Sequence, residues 1–402
     1  MRAGDTGCPG KRRAGEGCRV TRIAIDSWAL AKRFRYQGTY VYAQQLMTEF
    51  RRLAAARNDV SISLFAPPEA SNDANTFSEG QGFQVVRSPA LANERKWRLF
   101  GARRAAAEVH ADLIFAPTVS SLPIGRIPMV STIHDVTPLV MPSHASHLTL
   151  IMRSVMRWVA KGSRFIITDS ACSKSDLLRL YGIPESKVAV VYLGYDKAIF
   201  HERAADGEAK NQLLERLGLR GRAYIVHHGT IQPRKNLKRL IQAYRLMMTR
   251  NTSLDVDLVL AGNKGWGHQE TMEAAGNKAG ERGRVIFPGI LENPDLAMLL
   301  RGAALAVIPS LYEGFCLPMV ESMACGTPTI ASSSSCLPEI SGEALRYFDP
   351  TSIEEMATQM ERALTDSGLA SELRTRGIAR ARVFDWARCA EQTLDLILNV
   401  AN

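Results

Sequence analysis

Glu313 and Glu321 are separated by seven residues, and the interval between them holds Gly314 and Pro318. The preceding run, Ala303 to Pro309, is short, apolar and bounded by turn signals, which reads as a buried strand. Proline suits the first helical position, where its missing N–H has no intrahelical partner, and Gly326 is a natural stop. The order is therefore strand, loop with Glu313, then a helix beginning near Pro318. A helix start offers free N–H groups and the positive end of a dipole, so it attracts phosphate. The backbone of Gly314, Phe315, Cys316 and Leu317 would present those groups. A carboxylate beside phosphate is repelled, so the two acids must face hydroxyls, for which ionised carboxylates are good acceptors. One acid on the loop and one in the first turn could hold the two ends of a sugar nucleotide. A bare pair of acids at this spacing is more often solvent-exposed; the Gly-Phe-x-Leu-Pro inside it favours a site.

Arg234 and Lys235 follow an apolar run ending at His228 and stand where a helix over Lys235–Met248 is expected to start. Two cations there oppose the dipole unless an anion is near. A diphosphate between them and the Phe315–Leu317 amides would supply it, with arginine binding two oxygens and lysine acting as a point charge. Gly229 would let the chain pass close to such a ligand. Asn236 is a passable helix cap. Gly38 precedes a helix and serves equally as a plain turn or as a place of close approach. Its surroundings are not a G-x-G-x-x-G fingerprint, which argues against a dinucleotide. His134 lies at the carboxyl end of the strand Met129–Ile133; in isolation such a histidine is more often structural. Asp255-Val256-Asp257 spells D-x-D, but it opens a buried strand, so no metal is expected. Glu339 is expected to hold a loop.

The run E-G-F-C-L-P-M-V-E resembles the E-G-F-G-L-P-x-x-E of the family 4 glycosyltransferases. The resemblance continues in Gly229 to Leu237 (G-T-I-Q-P-R-K-N-L), in Asp169 to Leu177, and in Tyr181 to Val188. It covers most of the chain from residue 21 onward. It implies an α/β fold of two Rossmann-like domains (GT-B) facing each other across a cleft, and retaining, metal-independent transfer of a hexose from a nucleotide diphosphate sugar. In this reading Glu313 holds the transferred sugar, Glu321 the ribose, His134 orients the sugar, and Arg234 and Lys235 stabilise the leaving diphosphate. The G-T-Y opening and H-D-V-T-P look like bacterial mannosyltransferases of polysaccharide assembly, which points to GDP-mannose and leaves UDP-hexoses open. The implied acceptor is a glycan or lipid-linked glycan. A non-catalytic nucleotide-sugar binder on the same fold is the alternative. Cys316 departs from the family's usual glycine and is expected to crowd a ligand packed on the backbone.

Strand and helix signals alternate almost throughout, as in α/β proteins with parallel sheets. Expected strands are Arg22–Asp26, Val60–Phe65, Asp112–Ala116, Met129–Ile133, Phe165–Thr168 and Val188–Tyr192, with helices Thr39–Leu53, Asn93–Val109, Leu148–Ala160 and Ser173–Leu180. After a polar linker over Phe200–Glu208 the pattern restarts: strands Ala223–His228, Val256–Ala261, Val285–Phe287 and Leu305–Ile308, with helices Lys235–Met248, Gln269–Ala279, Asp295–Arg301 and Ile353–Leu364. The expected domains are residues 21–200 and 209–382. Residues 383–402 contain a helix that the resemblance returns to the first domain. Residues 1–20, rich in glycine and arginine, read as a flexible basic tail.

The chain has 402 residues, 46% hydrophobic and 22% charged, an ordinary globular balance. No apolar run nears the roughly 18 residues of a membrane span, and the start lacks a secretory apolar core. Seven scattered cysteines fit a reducing cytoplasm. The net charge of +10 favours anionic partners without choosing among them. A nucleic-acid partner is not expected, because the charge is dispersed. Two basic clusters, Arg95 to Arg104 with Trp97, Leu99 and Phe100 interleaved, and Met152 to Lys161 with Arg153, Arg157 and Lys161 on one face, fit either ordinary surface helices or peripheral contact with an anionic membrane at its inner face.

Overall fold

The computed structural model describes residues 20–31, 35, 37–66, 77, 80–87, 97–141, 147–203, 207–276 and 282–401. The expected tail lies outside the described residues except for Val20, as do Arg95, Lys96 and the Ala205-Asp206 part of the linker.

Two wholly parallel sheets follow one another along the chain. The first has strands β1 Thr21–Asp26, β2 Val60–Ala66, β3 Phe83–Arg87, β4 Leu113–Ala116, β5 Met129–Thr132, β6 Phe165–Thr168 and β7 Val188–Val190 in the order 3-2-1-4-5-6-7. The second has β8 Ala223–His228, β9 Val256–Ala261, β10 Val285–Gly289, β11 Leu305–Ile308, β12 Thr329–Ser332 and β13 Arg346–Phe348 in the order 10-9-8-11-12-13. Strands β4, β5, β9, β11 and β12 are buried at every position, as parallel strands covered by helices on both faces must be. In each sheet the winding reverses beside the first strand, between β1 and β4 and between β8 and β11. At such reversals the loops beyond the carboxyl ends diverge and leave a crevice.

Several elements escaped sequence reasoning. β12 and β13 are short and end in polar or aromatic residues, and β3 is an edge strand. Helices Gly207–Arg216 and Ser367–Ala381 have few apolar side chains. Trp97, read as part of a surface basic cluster, is fully buried and donates its indole N–H to Asp26 Oδ1 at 2.9 Å. Arg234 and Lys235 do not open an α-helix: they lie in a 3-10 turn, Pro233–Lys235, and Asn236 in left-handed conformation (φ 60°) precedes the helix Leu237–Arg250. The Asn236 amide makes no capping bond and instead donates to the carbonyls of Pro309 and Pro350 at 3.1 and 2.7 Å. Asp257, of the D-x-D, is fully buried at the amino end of β9, opposite the crevice, and is held by Arg222 and Arg284 at 2.6 and 2.5 Å.

Helix Trp386–Ala401 packs on helix Gly38–Ala55 of the first sheet. Trp386 meets Tyr42, and Arg52 and Arg57 reach Glu391 and Asp395. Among the described residues no helix is long and apolar enough to cross a membrane. The segment after β7 packs on the start of this last helix at Gly194, where a Cβ would lie 2.2 Å from the Trp386 nitrogen. Gly194→Ala is therefore expected to destabilise the protein by about 1–3 kcal/mol through overpacking. Urea denaturation reads this directly; an unchanged midpoint would show that the crossing has room to spare.

Candidate functional site

One cavity of 1160 Å³ lies between the halves. Its second-half wall comes from the loops after β8 and β11: Gly229, Arg234 and Lys235 from one, Glu313 to Pro318 from the other. Its first-half wall includes Gln37 to Thr39 at the start of helix Gly38–Ala55, His134 after β5 and Asp169 after β6. Of the residues singled out by sequence, the fold gathers Gly38, His134, Gly229, Arg234, Lys235, Glu313, Gly314, Phe315, Cys316 and Leu317 on this cavity.

The Glu313 carboxylate is the centre of the charged wall. It is 4% exposed and accepts hydrogen bonds from Lys235 Nζ at 2.6 Å, Ser310 Oγ at 2.7 Å and, very closely, the Arg234 guanidinium. Burial would push this carboxyl up, but the Arg234 and Lys235 charges outweigh it, with the Lys235 and Ser310 hydrogen bonds, and hold it at about 2. Arg234 also donates to the Tyr312 carbonyl at 3.1 Å, and its own carbonyl accepts the Leu311 N–H at 2.8 Å. The anion that the two cations were expected to need is thus already present as a protein carboxylate. Glu313 has three donors for about four lone-pair positions, which leaves room for one further hydroxyl.

Next in sequence, Gly314 lies against the opposite half: a Cβ there would sit 2.4 Å from the His134 carbonyl oxygen. Phe315 packs edge-on to Phe384 at 5.3 Å and near Tyr192 at 6.3 Å, so its ring is an anchor between the halves. Cys316 takes φ 75°, ψ 67°, a left-handed conformation that costs a non-glycine residue about 1–2 kcal/mol. The residue is 5% exposed and packs in the core with Phe315 and Met319, so the departure from glycine brings backbone strain, and the residue also lines the cavity. Burial, with the Glu313 charge, pushes its thiol up to about 12, which keeps it un-ionised. Helix Leu317–Ala324 then starts, and the N–H groups of Phe315, Cys316 and Leu317 have no acceptor among the described residues.

Two further candidates, His134 and Glu321, have partners within the protein. His134 lines the cavity, but both ring nitrogens are engaged within its own half: Nδ1 with Asp169 Oδ2 at 2.8 Å and Nε2 with the Pro117 carbonyl at 3.0 Å. Two acceptors call for N–H on both nitrogens. Burial opposes the charge, yet Asp169 and the Pro117 carbonyl prevail and raise the imidazole above its usual range. Its ring has no spare group for a sugar in this arrangement. Glu321 does not line the cavity. One helical turn below Leu317, its Oε2 pairs with His228 Nε2 at 2.9 Å.

Sequence reasoning missed the groups that hold the site together. The Ser335 hydroxyl is hydrogen-bonded to both the N–H and the carbonyl of Glu313, at 2.8 and 3.0 Å. Asp169 stood inside a quoted motif, yet only the fold brings it to His134. Glu339, expected to hold a loop, reaches across the halves: it accepts the Ala171 and Cys172 N–H groups at 2.7 and 2.9 Å, capping helix Ala171–Tyr181, and takes the Tyr192 hydroxyl at 3.0 Å. Tyr312 makes a second cross-link, donating to Asp176 Oδ2 at 2.7 Å. No sequence signal pairs residues so far apart.

Paired parallel sheets in this order, with a crevice between their reversal points, form the GT-B architecture of two Rossmann-like halves. The model described as Glycosyltransferase Family 4 matches residues 40–198, and the one described as Glycosyl transferases group 1 matches residues 210–383. The chain belongs to the family 4 glycosyltransferases. It is 28% identical over 357 residues to O-antigen chain mannosyltransferase B of Escherichia coli, covering 86% of this chain and 92% of that one. With the serotype-specific mannosyltransferase WbdA of Escherichia coli it shares 29% identity over 287 residues, 68% of this chain and 34% of WbdA. The solved structure of Anabaena Alr3699/HepE in complex with UDP and glucose matches the fold with a TM-score of 0.71 at 19% identity, over 94% of this chain and 100% of that chain.

Glu313→Gln leaves two cations without their counter-charge and is expected to cost roughly 3 kcal/mol at neutral pH. Because the folded carboxyl titrates near 2 and the unfolded one near 4.5, this stabilisation is complete above 4.5 and fades as pH falls toward 2. Urea melts of both proteins across that range should converge; a constant gap would refute the assignment to charge. Glu339→Ala is expected to cost about 1–3 kcal/mol and to enlarge the radius of gyration in small-angle scattering, as the halves lose a cross-link. Unchanged dimensions would mean that other contacts suffice.

Proposed function

We propose that the protein is a retaining, metal-independent hexosyltransferase that moves mannose from GDP-mannose to an acceptor hydroxyl in polysaccharide or glycolipid assembly. The observation that carries this reading is the Glu313 carboxylate shared by Arg234 and Lys235, beside unpaired N–H groups at the start of helix Leu317–Ala324. Mannosyltransferase relatives over most of the chain support the sugar, and the UDP complex of a protein with the same fold supports a nucleotide diphosphate donor. UDP-hexoses remain the competing donors.

In this mechanism the diphosphate lies across the Phe315–Leu317 amides and draws the two cations toward it. Charge grows on the leaving phosphate as the sugar bond breaks, and groups already oriented there lower the barrier without reorganising. The free start of helix Gly38–Ala55 faces the same space and adds N–H groups from the other half. Glu313 keeps its cations aligned and offers its remaining lone pair to a hydroxyl of the transferred sugar. A phosphate oxygen of the leaving group takes the acceptor's proton, and the acceptor oxygen bonds to the anomeric carbon on the face the phosphate leaves. His134, held by Asp169, shapes the sugar side of the cavity. Glu321 gives up its bond to His228 to meet the ribose where the nucleotide runs past the first helical turn. A glycan or lipid-linked glycan enters from the first-half side.

GDP-mannose is expected to raise the melting temperature more than UDP-glucose or GDP-glucose does, and to be the donor consumed. Lys235→Ala should lower kcat roughly 10²–10³-fold while circular dichroism still reports a folded chain. Undiminished turnover would remove the cation from the mechanism. Glu321→Ala should raise donor KM with little change in kcat, the signature of ground-state binding; unaltered donor affinity would place this acid outside the site.

A further inference from the structure

Among the described residues, Trp266 is the one exposed large apolar side chain on the wall of the central cavity; it is 48% exposed. It stands between two glycines in the loop 262–268, which follows β9. This loop is fastened to the loop that carries Arg234 and Lys235. The Ile231 N–H donates to the Asn263 carbonyl at 2.8 Å, and the Gly265 N–H to the Ile231 carbonyl at 2.9 Å. A Cβ on Gly265 would lie 2.7 Å from Thr230 Cγ2, and one on Gly267, at φ 63°, 2.8 Å from Pro233 Cγ. His268 closes the turn, with Nδ1 2.8 Å from the Gly265 carbonyl. The indole is therefore held at the cavity by a fixed backbone. A ligand that covers it gains apolar burial without having to order a loop.

The ring lies away from the path given above to the nucleoside. Strands β8, β9 and β11 send alternate residues to opposite faces of their sheet. Val226, Val259 and Ala306 share a cluster with Met319 and Val320 of helix Leu317–Ala324, whereas Ile225, Leu258 and Leu305 share one with Leu240 and Ile241 of helix Leu237–Arg250. Helix Gln269–Ala274, just after the Trp266 loop, packs on helix Leu237–Arg250. The cavity thus runs over the carboxyl edge of the sheet, from Pro318 on one side, past Glu313 and Arg234, to Gln242, Trp266 and Glu270 on the other. With the nucleoside beside helix Leu317–Ala324, the arm at Trp266 is left for the other substrate.

The chemistry of the arm suits a sugar ring. Glu270 pairs with Lys238 at 3.0 Å, and Arg239 donates to the Asn236 side-chain oxygen at 3.0 Å. A carboxylate beside the indole disfavours phosphate and accepts from hydroxyls, and the Gln242 amide can both donate and accept. From the first half, Pro138, Val140, Met141 and Met152 add apolar lining. A pyranose has apolar C–H faces and a rim of hydroxyls, which matches a flat aromatic surface bordered by a few polar groups.

We propose that this arm is an acceptor subsite for a neutral glycan chain, with one pyranose ring stacked on Trp266 and its hydroxyls met by Glu270 and Gln242. The inference rests on the acceptor reading above and deepens it: a glycan entering from the first-half side reaches across the crevice to the second half.

Binding of α-linked mannotriose to the full chain is titrated by saturation-transfer NMR without donor, so it is measured whether or not sugar transfer occurs. Saturable binding is expected. Trp266→Ala should weaken it roughly tenfold, and Trp266→Tyr should keep most of it, with the melting temperature and the affinities for GDP and UDP unchanged. No saturable binding by the unaltered protein, or binding that Trp266→Ala does not weaken, overturns the proposal. So does a loss of GDP or UDP affinity in Trp266→Ala at undiminished trisaccharide binding, which would assign the ring to a nucleobase. If no sugar nucleotide is consumed while Trp266-dependent trisaccharide binding persists, the transfer reading falls and the glycan subsite stands.

Discussion

The carboxylate of Glu313, buried between Arg234 and Lys235, is the interaction around which the second half arranges its crevice loops. Two cations after β8 repel each other and resist burial; one acid after β11 makes their burial tolerable. The result ties the loops of adjacent strands into one charged surface at the reversal of the winding. Ser310 and Ser335 complete it, one holding the carboxylate and the other the backbone of the same residue. A buried pair with spare lone-pair and N–H capacity is suited to trade partners with a diphosphate, because the ligand substitutes for charge already present.

The same few residues also join the halves. Directly after Glu313, Gly314 presses on the His134 backbone and Phe315 packs against Phe384 and Tyr192. Tyr312, directly before it, bonds Asp176 across the crevice, and Glu339 caps a helix of the first half. A ligand that shifts the loop around Glu313 therefore acts on the contacts that set how the halves meet. Gly314 is required here by close approach to another backbone, whereas Cys316 occupies a left-handed position that glycine would take without strain. Side by side, the two show different reasons for a glycine in one short loop.

Much of the plan was legible in the chain. Buried strands announce themselves as short apolar runs, so β5, β6, β8, β9 and β11 were anticipated closely, while β12 and β13 were hidden by polar and aromatic ends. Pro318 and Gly326 marked the short helix after Glu313 because their backbone constraints are local. The helix expected over Lys235–Met248 starts at Leu237 instead, since Asn236 takes a left-handed backbone that propensity does not foresee. The basic neighbours of Trp97 gave no sign of its burial, because the carboxylate that claims it, Asp26, is distant in the chain. The partners of His134, Glu321 and Glu339 were illegible for one reason: each lies on a different strand or in the other half.

By itself the sequence determined the alternation of strand and helix, the reversal-point loops that carry charge, and the resemblance in the Glu313 region, because these depend on neighbours along the chain and on the steric habits of glycine and proline. Only the tertiary structure decided which charges meet: that Glu313 serves both cations, that His134 is spent on Asp169 and Pro117, that Glu321 turns to His228, and that Glu339 reaches the opposite half. Hydrogen bonds and ion pairs act over a few ångströms of space, and which residues come within that range depends on how the helices and sheets pack.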